Sequence, residues 1–157
     1  MATTVQNKSL LDDLLALDKG DLTAVKEMTV KAENLSRVMG RDVYVKVHSL
    51  SGNTYTSITR KSYDKDGNLD IEKSYDVNAL VVCSGLSKSS IDLKNQALQE
   101  HFGAASPKDL AKIIFRGTEL VHIANIIGYL SGFVDAETAE IDDTDSADIP
   151  TEETVKN

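Results

Sequence analysis

Helix start and stop signals follow one another closely between residues 92 and 133, and this run constrains the fold of the chain more than any other. Ser106 precedes Pro107, so a capping hydroxyl stands directly before a residue suited to the first turn of a helix. Gly117 ends that helix, and Thr118 with the acid that follows it predicts a second start, with Thr118 as the N-cap. These signals predict a compact set of helical hairpins.

The apolar residues of this run recur at intervals of three and four, as one buried face of a helix requires. Gly132 is placed to end the second long helix in a left-handed conformation, and Gly103 to end a shorter helix upstream. Leu98 and Phe102 belong to the predicted shorter helix, and the positions predicted to be buried on the two longer helices are Leu110, Ile113, Ile114, Leu120, Ile123, Ile126, Ile127 and Leu130.

The charge of the chain is concentrated at its carboxyl end. Residues 134–157 hold nine acidic residues and one lysine, which accounts for the whole formal charge of −8. The rest of the chain is neutral and offers no basic face to a phosphate backbone, which argues against nucleic-acid binding. The scarcity of large apolar residues after residue 133 predicts a disordered acidic tail.

No residue pattern points to an enzyme, a cofactor or a membrane span. The sequence shows no nucleophile–base pair, no ligand cluster and no phosphate loop. Cys83 is the only cysteine, which excludes an internal disulfide and fits a reducing cytosol. The first residues lack the basic segment of a signal peptide, and no apolar stretch approaches the roughly 20 residues that cross a bilayer.

The candidate metal ligands have simpler interpretations. Residues 64–71 place oxygen-bearing side chains like a calcium loop, but Leu69 stands where the loop needs glycine and Tyr75 where it needs glutamate. A polar turn between two helices is therefore predicted. The histidines and the cysteine lack partners at metal-ligand spacing, so His48 is predicted to be solvated and Cys83 to be an inert core residue.

The amino-terminal segment, residues 1–20, is predicted to be an amphipathic helix. Ser9 is followed by aliphatic residues at helical spacing, with Asp12 and Asp13 early in the helix. Two interpretations remain open: the helix docks on its own core, which is favoured, or it enters the groove of a partner. The aliphatic residues are Leu10, Leu11, Leu14, Leu15 and Leu17.

Two segments have the alternation of β-strands, residues 29–33 and 42–48. They predict an antiparallel pair in which Val43, Val45 and Val47 share the covered face. The connector between the strands has room for a helical turn.

Helices are predicted at residues 51–63 and 70–83, before a loop at residues 84–90. The last turn of the second helix remains open to interpretation as a buried strand. The stripe predicted to be buried on that helix consists of Ile71, Tyr75, Asn78, Ala79 and Val82.

The predicted fold class is therefore α+β. A small antiparallel β pair is covered by four to five short helices in one compact domain, residues 21–133, followed by the acidic tail, residues 134–157.

The carboxyl-terminal half resembles the tail assembly chaperones of long-tailed phages and PBSX-like defective prophages of Gram-positive bacteria. The resemblance is carried by residues 92–95, by the Leu-Gln-x-x-Phe-Gly turn of residues 98–103, and by residues 107–110. It continues through the helix restart at residues 115–120 and the Leu-Ser-Gly-Phe of residues 130–133.

The resemblance implies a small, non-catalytic protein of the bacterial cytoplasm that is absent from the finished virion. Such chaperones bind the long, helical tape measure protein and keep it soluble while tail-tube subunits polymerise around it. Many members also have a longer, frameshifted form, which implies the major tail tube protein as a second partner. No cofactor, nucleic acid or membrane is implied.

The residues that the resemblance nominates are structural or partner-binding rather than catalytic. The glycines Gly103, Gly117 and Gly132 are assigned to helix ends. The core or groove candidates are Leu98, Phe102, Leu110, Ile114, Phe115, Leu120, Ile127 and Phe133.

Two further functions remain open at this stage. One is a tail-completion or adaptor protein retained in the phage particle. The other is a small regulatory or nucleic-acid-mimicking protein that acts through the acidic tail. Detection of the chain in purified particles would favour the former, and loss of host-protein binding on deletion of residues 134–157 would favour the latter.

Overall fold

A computed structural model of the chain describes residues 2–141, with side chains from Ser9 onward, and shows an α+β fold. Two strands, β1 (Glu27–Lys31) and β2 (Tyr44–His48), form an antiparallel pair, which confirms the predicted class. The described residues also contain eight α-helices and a 3₁₀ turn at Arg60–Ser62. The helices are α1 (Ala2–Leu15), α2 (Lys19–Thr23), α3 (Glu33–Met39), α4 (Gly52–Thr59), α5 (Ile71–Gly85), α6 (Gln96–Phe102), α7 (Pro107–Ile114) and α8 (Thr118–Leu130).

The strand pair places its valines against the helices. Val30 lies opposite Val45 in the register, and Val45 and Val47 are fully buried. The outer edge of β2 is covered by the segment after α5, where Leu86 forms a bridge with Val47 and the Ser87 N–H donates to the Lys46 carbonyl at 2.9 Å. This segment satisfies edge groups that would otherwise be open to another strand.

Helix α8 lies at the centre of the core. Its buried residues cover a broad face of the helix, as expected for a helix that packs against several neighbours, and the stripe Leu120, Ile123, Ile126, Ile127 and Leu130 is buried as predicted. Long-range hydrogen bonds hold both of its ends to the strand region. The Asn34 N–H donates to Glu119 Oε1 at 2.7 Å, and the Leu50 N–H donates to Ser131 Oγ at 2.8 Å.

The local helix signals account for the ends of α7 and α8, with one correction. Ser106 Oγ accepts a hydrogen bond from the Asp109 N–H at 3.1 Å, and Pro107 occupies the first helical position. The N-cap of α8 is Gly117 rather than the predicted Thr118, which is already helical. Gly117 has φ +59° and ψ −126°, a backbone conformation that a side chain would oppose. Gly103 and Gly132 also have positive φ, at the ends of α6 and α8.

Two residues of the predicted buried stripes are exposed in the structure. Ile113 is exposed, because α7 turns Leu110 and Ala111 toward the core instead. Ile71 is exposed in the first turn of α5, before that helix meets the core. Helix α5 remains helical to Gly85, so its last turns are not the buried strand that the sequence also allowed.

The core extends past the predicted start of the acidic tail. Ala139 and Ile141 are buried, and the turn that leads to them is closed by a 2.7 Å hydrogen bond from the Thr138 N–H to Asp135 Oδ1. Residues 134–141 therefore belong to the body of the protein. The rest of the predicted tail, residues 142–157, lies outside the described residues. Within residues 2–141, every helix is too short or too polar to cross a membrane.

Candidate functional site: an apolar groove and an exposed amino-terminal arm

An apolar groove of about 820 Å³ lies between the end of β2, the last turns of α5 and the start of α7. We call it the α5–α7 groove. Its polar rim contains His48, Lys88, Asp92, Lys94 and Lys108. Its apolar lining is formed by Leu50, Leu80, Cys83, Leu86, Ile91, Leu93 and Pro107.

The loop between α5 and α6 closes one side of this groove and is held in place by its own polar groups. Leu93 is buried, and its carbonyl accepts a 2.8 Å hydrogen bond from Gln99 Nε2. Asp92 Oδ1 accepts from the Lys94 N–H at 3.0 Å. Asn95 then caps α6 by accepting from the Leu98 N–H. The groove is therefore built into the folded body.

The rim of the groove carries more positive than negative side chains. Lys88 and Lys94 are exposed. Lys108 Nζ lies 3.5 Å from Asp76 Oδ2, and Asp76 is shared with Lys112, whose Nζ lies 2.6 Å from Oδ1. The hydrogen bond from Lys112 holds the pKa of Asp76 below its usual value, so Asp76 remains charged and joins α5 to α7 beside the groove.

Cys83 lies half-buried in the groove wall, where burial opposes the formation of its thiolate. Burial raises the pKa of its thiol to about 11, with Lys108 acting weakly in the opposite direction. The thiolate is the reactive form, so the thiol is expected to be inert near neutral pH. This position makes Cys83 a reporter of groove occupancy.

We expect Cys83 in the folded protein to react with iodoacetamide at pH 8 about a hundred times more slowly than a free cysteine, because so little thiolate is present. The rate is expected to rise about tenfold for each pH unit up to pH 10, without levelling off near pH 9. Mass spectrometry of quenched samples measures this rate. The unfolded chain in denaturant is the control, and a plateau near pH 9 in the folded protein would contradict the assignment.

A second exposed apolar surface lies at the amino end of the chain. Every residue from 9 to 26 is exposed, and we call this segment the N-terminal arm. Its five leucines between positions 10 and 17 have exposed fractions of 44–75%. The favoured prediction, that this helix docks on its own core, is therefore wrong. The other interpretation, a segment that binds in a groove, remains a prediction.

The predicted candidate residues are distributed between the core and separate surface positions. Leu98 and Ile114 are half-buried against the core, while Phe102 is 47% exposed beside His101. Phe133 is 51% exposed and stacks on Tyr55, with ring centroids 4.6 Å apart. The remaining four are fully buried: Leu110, Phe115, Leu120 and Ile127. These eight residues do not form one surface.

Sequence reasoning missed the groove because its wall is assembled from distant segments. Leu50, Leu80 and Ile91 meet only after the chain folds, and each is an ordinary aliphatic residue in its own segment. The available signal was the spacing of Lys88 and Lys94 around an aliphatic pair, but such lysines are usual in solvated loops.

The described residues contain no arrangement of three or more His, Cys, Asp and Glu side chains suited to a metal ion. In the turn that resembles a calcium loop, Asp64 Oδ1 accepts hydrogen bonds from the Asp66 and Asn68 N–H groups, both at 2.9 Å. His122 Nδ1 lies 3.7 Å from a carboxylate oxygen of Glu140. These contacts are structural ones within the body.

Comparison with known families gives one match. Residues 11–145, far more than half of the chain, match the family model of the phage XkdN-like tail assembly chaperone protein. The matched region includes both the α5–α7 groove and most of the N-terminal arm. The comparisons with curated proteins and with solved structures found no match.

Proposed function

Because the chain belongs to the phage XkdN-like tail assembly chaperone family, we propose that it binds the tape measure protein of its phage and keeps that protein soluble during tail-tube assembly. In this proposal the chain is non-catalytic, acts in the cytoplasm of the bacterial host and leaves before the virion is complete. The tail tube protein is a second partner in the same proposal.

The observation that carries the proposal is the α5–α7 groove. A helix with an apolar stripe is recognised by a preformed apolar groove whose polar rim sets the orientation. The groove has an aliphatic lining of this kind, including Leu80 and Ile91. A long helical client that exposes apolar stripes would aggregate alone, and covering those stripes would keep it soluble.

The rim of the groove favours clients of a particular charge. Lys88 and Lys94 lie beside the apolar lining and would attract acidic residues that flank an apolar stripe. We therefore expect the bound segment of the tape measure protein to be an amphipathic helix with acidic residues at its edges, bound more weakly at high salt.

Co-expression with the tape measure protein encoded in the same genome tests the proposal. The intact chain is expected to keep the tape measure protein soluble and to co-purify with it, whereas the tape measure protein alone is expected to be insoluble. Replacing Leu80 and Ile91 together by serine should abolish recovery of the complex, because both aliphatic contacts in the groove are lost. Alkylation of Cys83 should also become slower when the client is bound.

The matched control replaces Val38 and Ile71 by serine, since both are exposed outside the groove, at 74% and 78%. This variant should retain the complex, and thermal melts should show that both variants are folded. A tape measure protein that stays insoluble with the intact chain would contradict the proposal. Detection of the chain in purified phage particles would then favour the tail-completion or adaptor protein.

A further inference from the structure

The N-terminal arm exposes more aliphatic surface than a small folded body usually leaves uncovered. Leu10, Leu11, Leu14 and Leu15 lie within α1 at helical spacing, and none of them is buried. Leu22 and Val25 continue the exposed aliphatic surface toward the body. A surface of this kind on a helix is typical of a segment that docks into a groove.

The connection between the arm and the body is ordered. The Lys26 N–H donates to Ser49 Oγ at 2.9 Å, and the Ser49 N–H donates to the Lys26 carbonyl at 2.8 Å, so the root of the arm is fixed to the end of β2. Within the arm, the Asp18 N–H donates to Asp21 Oδ2 at 2.8 Å and starts α2. The described side chains of α1 are exposed rather than docked on their own body, which favours a second copy as the acceptor.

The N-terminal arm and the α5–α7 groove are complementary in apolar character and in charge. The arm presents leucines flanked by Asp12, Asp13 and Asp18. The groove presents aliphatic side chains flanked by Lys88 and Lys94. When the arm enters the groove, its leucines can therefore contact the aliphatic lining while its aspartates lie near the lysines of the rim.

We propose that two copies of this chain exchange arms, so that α1 of each copy lies in the α5–α7 groove of the other. In a symmetric dimer of this kind, both arms are buried and both grooves are occupied. The inference rests on the proposed function in one respect, since the same groove accepts the client. The arm then acts as a placeholder that the client displaces, and client binding converts the dimer into monomeric complexes.

Sedimentation of the full chain over a range of concentrations tests the exchange without any client. The intact chain is expected to dimerise reversibly. Replacing Leu11 and Leu15 together by serine should raise the dimer dissociation constant at least about tenfold, since two apolar contacts are lost from each of two sites. The variant with serine at Val38 and Ile71, two residues exposed outside the arm, should dimerise like the intact chain.

A charge exchange between two variants distinguishes docking in a second copy from docking in the same chain. One variant carries Asp12→Lys and Asp13→Lys, and the other carries Lys88→Glu and Lys94→Glu. Each variant alone should dimerise more weakly, by about tenfold, because like charges then meet at the rim. An equimolar mixture should form a heterodimer, in which the lysine-bearing arm enters the glutamate-bearing groove.

Several results would overturn the inference. A monomer at all concentrations, an arm variant that dimerises like the intact chain, or a mixture that gains no heterodimer would each exclude arm exchange. If the intact chain is monomeric, faster alkylation of Cys83 in the arm variant than in the intact chain would assign the groove to the arm of the same chain. Loss of the dimer on removal of residues 142–157, with the arm variant unaffected, would assign it to the acidic segment instead.

The inference and the proposed function fail separately. If the chain is monomeric but still keeps the tape measure protein soluble, only the arm exchange is wrong. If the chain dimerises through its arms but binds no tape measure protein, the groove serves self-association and the proposed function is wrong. The arm variant measured with the client completes the comparison, because it should bind the client at least as well as the intact chain.

Discussion

Replacing Phe115 by alanine is expected to lower the free energy of unfolding by about 3–5 kcal/mol, the range for removing a fully buried aromatic ring. Phe115 is 0% exposed and directly follows α7, where the chain turns toward α8. Its ring belongs to the buried core, so the substitution leaves a cavity that the surrounding side chains cannot close without moving. Denaturant unfolding followed by circular dichroism measures the loss.

Phe102 provides the matched control for Phe115. Both residues were predicted to face the core or a groove, but Phe102 is 47% exposed at the end of α6. Phe102→Ala should lower the free energy of unfolding by less than about 1 kcal/mol, as for most surface substitutions. Equal losses in the two variants would show that Phe115 is not part of the packed core.

Gly85→Ala is expected to lower the free energy of unfolding by about 1–3 kcal/mol, because the added methyl group overpacks the core. A Cβ atom at Gly85 would lie 2.6 Å from Ile127 Cδ1, 2.7 Å from Cγ2 and 2.9 Å from Cγ1. Ile127 is fully buried in α8 and branched at Cβ, so its side chain has few alternative rotamers. Helices α5 and α8 must therefore move apart, and thermal unfolding measures the loss of stability.

Two controls isolate the contact between Gly85 and Ile127. Gly20→Ala places a methyl group where nothing lies within 4 Å, so the free energy of unfolding should be unchanged or slightly higher. Ile127→Val in the Gly85→Ala background removes one of the clashing atoms, so the two substitutions together should cost less than the sum of their separate effects. Strict additivity would mean that the two positions are not in contact.

The sequence predicts the carboxyl-terminal helices well because their signals are local. Ser106 and Pro107 specify a helix start within two residues, and the stripe of α8 needs only regular spacing of aliphatic residues. The stripe of a helix does not reveal which neighbours it meets. Ile71 and Phe102 have the right residue type and spacing for burial, but no other element reaches them.

The boundary of the body was harder to predict because composition averages over neighbouring residues. Residues 134–141 share the acidic character of the segment that follows them, yet Ala139 and Ile141 are buried. Val134 and Ala136 also pack against the core, so a few small and aliphatic residues hold the segment on the body. The groove was missed for a related reason, since it depends on where Leu50, Leu80 and Ile91 meet in the fold rather than on any pattern within one segment.

The hydrogen bonds from the strand region to the two ends of α8 have a consequence for the order of folding during translation. The Asn34–Glu119 and Leu50–Ser131 bonds span 85 and 81 residues. The first strands therefore leave the ribosome long before their central packing partner is synthesised. The valines of the strand pair therefore lack their buried environment until α8 emerges, so folding of the body is completed only after α8 has left the ribosome.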